Sequence, residues 1–328
     1  MALVLALAKG SDTSMISVVI PLYNKADFIA KAVDSVLAQA ETDWELIVVD
    51  DGSSDGGPEI VERYPDQRIK LVRQRNAGVS AARNEGARLA SSDWVAFLDA
   101  DDYWAPAHLS GLRTAQRAWP EAVACASAYY VVGAKGECRA IRLPADQQGR
   151  ATLLENYFAQ VREHEHPIHS SAIMVKRDVF LKLGGFPVGV TAGEDIIMWS
   201  RLACAGAIGY WGVPTAYYVA PPIDPRVRDQ FLRRPQTPDP VAQALKELMS
   251  HPKFEADIRM FLADWHRIRG MLFLERDERD RAWRELRAAV GFSTCRFRDV
   301  VSVLLLCLPL ALRRQVLSVI RSRKQAAA

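Results

Sequence analysis

Between residues 16 and 98 the sequence alternates short apolar runs, rich in valine and isoleucine, with segments whose apolar residues recur at helical spacing. Short β-branched runs bounded by polar residues are typical of strands buried on both faces. The predicted strands cover residues 16–21, 45–49, 69–72 and 94–98, and the predicted helices cover 27–39, 58–64 and 80–90. Strands that alternate with helices form parallel βαβ units with right-handed crossovers. The sequence therefore predicts an α/β fold with a mostly parallel, Rossmann-like sheet flanked by helices.

The first 219 residues are predicted to contain one domain preceded by a short extension. Residues 1–14 come before the first strand and are interpreted as non-structural, with Met15 as the candidate natural start. Residues 15–219 are predicted to form the domain, divided into two halves at 15–105 and 106–219, and beyond Ala122 the alternation gives way to irregular strands and loops.

The remaining sequence indicates three further features. An amphipathic stretch at 151–161 lies within the second half of the domain. Six prolines between residues 220 and 240 exclude a regular helix there and predict a linker or mobile lid. Helical patterns then resume, so residues 241–328 are predicted to be a helical C-terminal region.

Composition argues against several classes of protein. The chain has 328 residues, 49% of them hydrophobic, which supports a sizeable core and argues against disorder. Its net charge of +3 is uneven, since residues 253–328 carry 16 Lys and Arg against 9 Asp and Glu, so the basic character belongs to the tail. The five cysteines show no CxxC spacing, which argues against a disulfide framework or a thiolate zinc site and favours a reducing cytoplasm.

Polar and acidic residues follow three of the predicted strands, at the point where each strand ends. These segments are residues 21–24 (PLYN), 50–55 (DDGSSD) and 99–102 (DADD). Ligands of parallel sheets bind beyond the carboxyl ends of the strands. We therefore expect the three segments to converge on one binding site.

Asp99 and Asp101 follow a buried strand and place two carboxylates on one side of a loop. Carboxylate oxygens are ligands of Mg²⁺ and Mn²⁺, and neighbouring carboxylates repel one another unless a cation neutralises them. The pattern therefore predicts a site for Mn²⁺ or Mg²⁺. The alternative interpretation is a solvated acidic turn in which Asp102 caps the next helix.

The loop after the second strand suits a nucleotide base but also has a structural interpretation. The carboxylate of Asp51 can accept a hydrogen bond from the imide N–H of a pyrimidine. Alternatively, Asp50 to Ser53 form an Asx turn in which Gly52 supplies a positive φ.

Residues around the start of the third predicted helix suit an anion. Asn76, Gly78, Ser80 and Arg83 surround this start, where free N–H groups, the helix dipole and an arginine favour a diphosphate. The alternative is an ordinary capped helix with a surface arginine.

In order and spacing, four strings resemble the nucleotide-binding half of the family 2 glycosyltransferases, which have the GT-A fold. The strings are SVVIPLYN, WELIVVDDGSSDG, RNAGVSAARNEG and WVAFLDADDYWAP. The similarity continues through SSAIMVKRDVFLKLGGF and GEDIIMWSRLA, and it covers roughly residues 16–212. It implies a nucleotide-sugar-binding half at 15–105 and an acceptor half at 106–219.

The resemblance also implies a role for each residue that matches a family motif. Asp99 and Asp101 match the DxD-type loop that binds the donor ribose and the metal, and Asp102 assists them. The donor-binding residues are then Pro21, Tyr23, Asp51, Arg83 and Asp99, to which the helix-start argument adds Asn76. Glu194 and Asp195 match the acidic motif whose aspartate is the catalytic base, and Gly184, Gly185 and Phe186 shape the acceptor side.

The mechanism that the resemblance implies is a single in-line displacement with inversion at the anomeric carbon. Asp195 removes the proton of the attacking hydroxyl, and the metal stabilises the departing diphosphate. UDP is the favoured nucleotide, with GDP and dTDP as alternatives. The acceptor is a saccharide or a lipid-linked saccharide of cell-envelope or exopolysaccharide assembly, and no nucleic-acid partner is predicted.

Two other functions stay open at this point. A nucleotidyltransferase also needs a nucleotide pocket and a carboxylate-bound metal, but its usual glycine-rich loop does not follow the first strand in this sequence. A catalytically inactive scaffold that binds a nucleotide sugar is the second alternative, although Asp99, Asp101, Glu194 and Asp195 are all present.

Two remaining features have competing interpretations. As a helix, the uncharged run 300–312 would span only about 20 Å, which is less than the roughly 30 Å hydrocarbon core of a membrane. One interpretation is that residues 296–324 dock peripherally on the inner face of the membrane. The other is that they pack against the catalytic domain or a second subunit. His164, Glu165, His166 and His169 lack the spacing of a zinc helix and are interpreted as polar groups of the acceptor loop.

Overall fold

A computed structural model describes residues 15–221, 235–294 and 297–306 and the single positions 308, 309, 312 and 316. The chain divides into two compact units. Within the described residues, the first unit comprises 15–155, 164–189 and 201–221, and the second comprises 156–163, 190–200 and the residues from 235 onward. The second unit thus includes two segments from the region 15–219, for which the sequence predicts one domain.

The first unit is built on a single sheet. Its strands among the described residues are β1 (Ile16–Leu22), β2 (Trp44–Asp50), β3 (Ile69–Arg73), β4 (Trp94–Phe97), β5 (Tyr103–Trp104), β6 (Ala124–Val132), β7 (Cys138–Ala140), β8 (Ala151–Leu153), β9 (Ile173–Lys176) and β10 (Ile208–Val219). Their spatial order is β3-β2-β1-β4-β9-β6-β10-β5, with β7 beside β6 and β8 beside β10.

Strand direction divides this sheet into two parts. Strands β3, β2, β1 and β4 are parallel, as the sequence predicts for the βαβ units. Strand β9 is antiparallel to both of its neighbours, β4 and β6, while β6 and β10 are parallel to each other. Every residue of β1 and β2 is buried, which explains why both strands are continuous apolar runs.

The helices that flank the sheet come mainly from the same alternation. They are α1 (Ala26–Leu37), α2 (Gly57–Glu62), α3 (Val79–Leu89), α4 (His108–Ala118) and α6 (Arg177–Lys182). The predicted strands and helices of residues 16–98 are confirmed to within two residues at each end. Helix α3 packs closely on β1, since a Cβ added at Gly86 would lie 2.3 Å from the Cγ1 atom of Val19.

The amphipathic stretch predicted at 151–161 does not form one element. Its first residues form strand β8, and its last residues belong to helix α5 (Tyr157–Glu163) of the second unit. The reason is a distant partner, because β8 pairs with residues Gly209 to Trp211 of β10.

The second unit is helical. Besides α5 it contains α8 (Pro240–Leu248), α9 (Glu255–Glu275), α10 (Arg279–Phe292) and α11 (Phe297–Leu306), and α7 (Glu194–Ala205) begins in it. Its small core includes Phe273, Leu286 and Leu305. Asp239, His266 and Glu285 cluster in this unit, and the buried guanidinium of Arg269 bonds both Asp239 and Glu285 at 2.9 Å, so one positive charge of the chain is shared by the two carboxylates.

Helix α11 contains part of the uncharged run at 300–312. Leu305 is buried and packs with Phe273 and Leu286 of α9 and α10, whereas Leu304 is 62% exposed. Among the described residues, no helix combines the length and apolar content needed to cross a bilayer. Residues 1–14, most of the predicted linker and most of the tail beyond 306 lie outside the described residues.

Candidate active site

The loops that follow β1 and β2 are bonded to each other. The side chain of Asn24 accepts a hydrogen bond from the backbone N–H of Ser54 at 2.9 Å. The backbone N–H of Asn24 donates to the hydroxyl of Ser53 at 3.1 Å. Asp55 accepts from the N–H of Ala26 at 2.8 Å and so holds the first residue of α1. The predicted convergence of these two loops is confirmed.

Asp51 organises the loop that leads into α3. Its carboxylate is buried and accepts hydrogen bonds from the side chain of Gln74 at 2.7 Å and from the backbone N–H groups of Ala77 and Gly78 at 2.8 Å. The Asx turn is also present, because Asp50 accepts from the N–H of Ser53 and Gly52 has a φ of 78°. Asp51 therefore fixes the loop at the start of α3, and its predicted contact with a base stays a prediction.

Asp99 is paired with Arg83, the residue that the resemblance assigns to the donor side. The guanidinium donates to the carboxylate at 2.5 Å and lies 4.9 Å from the centre of the Phe186 ring. Arg83 has a side chain only 4% exposed, so the alternative of a surface arginine is wrong. Burial raises the pKa of Asp99, but attraction to Arg83, and then to His169 and Lys25, outweighs burial and leaves the pKa below its usual value.

Asp101 is paired with Lys25, a residue that the sequence analysis did not include in the site. The ammonium group lies 2.6 Å from Oδ2 of Asp101, and the two side chains are 38% and 33% exposed. Lys25 directly follows the segment at 21–24 that was singled out beyond β1, so its position beside a strand end was the available signal. This pair joins the loop after β1 to the loop after β4.

Asp102 is a structural bridge rather than a helix cap. It is buried, it accepts from the hydroxyl of Ser171 at 2.5 Å and from the N–H of Val219 at 2.8 Å, and the residue at the capping position before α4 is Ala107. The interpretation of a solvated turn in which Asp102 caps a helix is therefore wrong. Burial, followed by the negative charge of Asp99, raises the pKa of Asp102 well above its usual value.

His169 joins this group, although the sequence analysis assigned it to the acceptor loop. Its Nδ1 atom accepts from the N–H of Ser171 at 3.2 Å and lies 3.7 Å from Oδ2 of Asp102. Its ring packs against Tyr218, with 4.3 Å between the ring centres. No local sequence pattern signals that His169 lies beside Asp102, because this proximity depends on the pairing of β9 with β4.

The arrangement fits a divalent cation. Possible ligand atoms of Asp99, Asp102 and His169 all lie within 4.8 Å of one another. Atoms bound to one ion at about 2.0–2.6 Å have separations of this size. Asp101, which the sequence predicts as a metal ligand together with Asp99, already holds a cationic group of the chain.

Gly184, Gly185 and Phe186 are positioned by Asn84. The amide of Asn84 donates to the carbonyl of Phe186 and accepts from its N–H, both at 2.8 Å. Both glycines have positive φ, and a Cβ at Gly185 would lie 2.4 Å from the Oδ1 atom of Asn84. Glycine at 185 is thus required by both its backbone conformation and its close neighbour.

The remaining predicted residues occupy the following positions. Pro21 is buried within β1, Tyr23 is 49% exposed just beyond it, and Asn76 is exposed in the loop before α3. Glu194 and Asp195 are the first two residues of α7 and belong to the second unit.

A cleft of about 520 Å³ opens in the first unit beside α3. Its lining includes Arg75, Asn84 and Arg88 on one side and Leu181, Gly184 and Gly185 on the other. The glycine pair that the resemblance assigns to the acceptor side therefore borders an open cleft.

Comparison with known proteins agrees with this architecture. The family model described as "Glycosyl transferase family 2" matches residues 17–184. The uncharacterised glycosyltransferase EpsJ of Bacillus subtilis (strain 168) is 42% identical over 91 residues, which are 27% of this chain and 26% of EpsJ. The chain thus matches only about a quarter of that relative's length.

Two solved structures have a similar fold. TarS 1–349 of S. aureus in complex with UDP-GlcNAc matches with a TM-score of 0.65 at 17% identity, covering 85% of this chain and 84% of that one. The mannosyltransferase PcManGT of Pyrobaculum calidifontis, in complex with GDP-Man and Mn²⁺, matches with a TM-score of 0.55 at 20% identity, covering 89% and 79%. The family model spans just over half of the chain and includes the loops after β1, β2 and β4, and the chain belongs to glycosyl transferase family 2.

Proposed function

We propose that this chain is an inverting glycosyltransferase that transfers a sugar from a nucleotide diphosphate sugar to a hydroxyl group of a saccharide or lipid-linked saccharide. The observation that carries the proposal is the joining of three strand-end loops in one unit, with Asp99 and Asp101 each paired with a cation of the chain. The carboxylates of such a site can balance the charge of a divalent ion, and its cations can balance the charge of a diphosphate.

The metal in this proposal is Mn²⁺ or Mg²⁺, held by Asp99 and Asp101. Asp102 and His169 lie close enough to Asp99 to complete the ligand set. When bound, the ion supplies positive charge to the leaving diphosphate. Arg83 keeps Asp99 ionised and fixed in direction, and the bridge from Asp102 to Ser171 and Val219 holds the loop that carries all three aspartates.

The donor nucleotide is assigned to the edge formed by the loops after β1 and β2. Pro21, Tyr23 and Asp51 contact the base, and Asn76, Arg83 and the first turn of α3 attract the diphosphate. UDP is the preferred nucleotide, supported by the resemblance and by a structural neighbour that binds UDP-GlcNAc. GDP is the alternative, supported by the neighbour that binds GDP-Man.

The acceptor hydroxyl is assigned to Asp195 as general base, with Glu194 beside it. A sugar hydroxyl is a weak nucleophile, so a positioned carboxylate contributes roughly 10²- to 10⁴-fold to the rate. Inversion follows from a single displacement, in which the hydroxyl oxygen attacks the anomeric carbon as the bond to the diphosphate breaks and Asp195 takes the proton. Gly184, Gly185 and Phe186 shape the acceptor side.

Nucleotide-dependent stabilisation tests the donor assignment. The full chain is heated with UDP, GDP or dTDP in Mn²⁺, in Mg²⁺ and in EDTA. A nucleotide at 100 times its Kd stabilises the protein by about 2.7 kcal/mol, a rise of several degrees in Tm for a chain of this size. We expect one nucleotide to raise Tm only with metal, and to lose this effect in Asp101→Ala. No stabilisation by any of the three contradicts the proposal.

The proposed setting is the cytoplasmic face of the membrane during assembly of envelope or exported polysaccharide. The exposed Leu304 and Leu312 next to the basic tail support peripheral docking of 296–324 on anionic lipid. Co-sedimentation with vesicles of anionic lipid is expected, and it should fall when residues 295–328 are removed. Equal sedimentation of the full chain and the shortened chain contradicts docking. Measuring the molecular mass of the full chain in solution tests the alternative, a homo-oligomer.

A further inference from the structure

Asp99 and Asp101 are each paired with a cation of the chain, but the two cations differ in how firmly they are held. Arg83 is buried, is in contact with the Phe186 ring and bonds Asp99 at 2.5 Å. Lys25 reaches Asp101 from the protein surface, and both of these side chains are about one-third exposed. An exposed pair contributes little to stability, so Lys25 can leave Asp101 at small cost.

The backbone of Lys25 is fixed, whereas its partly exposed side chain is held only by Asp101 and by a contact of 5.5 Å with the centre of the Phe28 ring. The adjacent Asn24 is bonded to the loop after β2, and the N–H of Ala26 is held by Asp55 at 2.8 Å. The carbonyl of Lys25 accepts from Phe28 and Ile29 in the first turn of α1. The ammonium group therefore moves only through the rotations of its flexible stem, around an anchored point beside the strand ends.

A divalent ion on Asp101 changes the charges around this ammonium group. Two cations on one carboxylate repel each other, and the divalent ion carries the larger charge, so Lys25 is displaced. In the proposed function the donor diphosphate would bind the same ion, which would bring an anion close to this side chain, and an ammonium group binds phosphate as a point charge.

We propose that Lys25 exchanges one anion for another, holding Asp101 in the metal-free protein and binding the donor diphosphate once a divalent ion occupies Asp101. The inference rests on the proposed function and adds a donor-binding residue to it. Lys25 then opposes metal binding in the absence of nucleotide and favours nucleotide binding in the presence of metal. Lys25 therefore increases the extent to which bound metal raises the affinity for nucleotide and bound nucleotide raises the affinity for metal.

The test compares Lys25→Met with Lys31→Met in the full chain. Lys31 lies on α1, the helix that Lys25 immediately precedes, with its ammonium group 3.3 Å from the centre of the Tyr103 ring, and serves as the matched control. Mn²⁺ affinity without nucleotide is measured by the EPR signal of free Mn²⁺, and UDP or GDP affinity at saturating Mn²⁺ is measured by calorimetry. Circular dichroism checks that each variant is folded.

The two affinities should change in opposite directions in Lys25→Met. We expect Mn²⁺ to bind several-fold more tightly and the nucleotide to bind about tenfold more weakly, the change produced by losing one favourable contact of ordinary strength. Lys25→Arg should retain most of the nucleotide affinity, and Lys31→Met should match the original chain in both measurements.

Other outcomes overturn the inference in distinguishable ways. Unchanged affinities in Lys25→Met, with the original chain binding Mn²⁺ and nucleotide, contradict the role of Lys25 and leave the proposed function intact. Weaker binding of both ligands also contradicts the exchange, since it assigns Lys25 a purely supporting role. If the original chain binds neither ligand, the proposed function fails and this inference fails with it.

Discussion

The side-chain amide of Asn84 forms two hydrogen bonds, both of 2.8 Å, with the backbone of Phe186. These bonds join α3 to the turn after α6, two segments separated by about a hundred positions in the chain. The same turn holds the Phe186 ring against Phe97 and the guanidinium of Arg83. The position of Arg83, and through it that of Asp99, therefore depends on this turn.

Alanine substitutions at the two glycines of the turn should have different effects. Gly184→Ala introduces a side chain at positive φ with no atom within 4 Å, so it should lower the free energy of unfolding by about 1–2 kcal/mol. Gly185→Ala has the same backbone cost, and it also displaces Asn84, which should remove about 1–3 kcal/mol more. Urea denaturation measures both.

A double substitution identifies the cause of that difference. In Asn84→Ala the atom that would collide with the new Cβ is gone, so adding Gly185→Ala should then cost only about as much as Gly184→Ala, roughly 1–2 kcal/mol. Equal losses for the two single glycine variants would show that the contact with Asn84 has no energetic role.

Removing the guanidinium of Arg83 should strongly destabilise the first unit. Arg83→Met leaves the carboxylate of Asp99, which is 22% exposed, without its strongest partner, so the loss should approach the roughly 3–5 kcal/mol that breaking a fully buried pair costs. Arg88→Met, on the same helix, removes an exposed pair with Glu85 and should cost less than about 1 kcal/mol. Thermal and urea unfolding of both variants provide the comparison, and similar losses would contradict the assigned pairing.

Glu45 should make the stability of the chain sensitive to acid. Burial raises the pKa of this carboxyl, but hydrogen bonds from Lys70, Ser17 and Ser91 outweigh burial and lower the pKa to about 2. Because the folded-state pKa lies below the unfolded one, the stabilisation is complete above about pH 4.5 and is lost as pH falls towards about 2.

The corresponding variant is Glu45→Gln. It should lower the free energy of unfolding at pH 7 by about 1–3 kcal/mol, because donors to a buried carboxylate lose a charged acceptor. The difference from the original chain should shrink below about pH 4.5. Glu59→Gln, which changes an exposed carboxylate, is the control. A difference that stays constant down to pH 2.5 contradicts the low pKa of Glu45.

The sequence was sufficient to predict the parallel half of the sheet, for a physical reason. Strands β1, β2 and β4 are buried along their length, so each is an apolar run bounded by polar residues, and β1 and β2 are each followed by a helix with its own periodicity. The acidic segments after these strands were predicted to converge, and the bonds from Asn24 to Ser54 and from Lys25 to Asp101 confirm this convergence.

What the sequence could not provide is pairing between distant segments. Strand β9 inserts between β4 and β6, and this brings Ser171 and His169 against Asp102, for which the sequence offers a helix cap only as an alternative interpretation. The same limitation applies to Lys25, whose partner lies 76 positions away. Local pattern identifies which residues follow a strand, but only the strand order determines which of them become neighbours.

Metal-dependent sugar transfer by this chain is tested by measuring nucleotide release from a donor sugar. The full chain is incubated with the nucleotide sugar whose nucleotide raises its Tm, in Mn²⁺ or Mg²⁺ and in EDTA, with Asp101→Ala and Asp195→Asn alongside. We predict metal-dependent release of the nucleotide diphosphate, loss of donor binding in Asp101→Ala, and a rate reduced roughly 10²- to 10⁴-fold with donor binding retained in Asp195→Asn. Binding of the donor without release in any metal, or release that is unchanged in Asp195→Asn, would contradict the account.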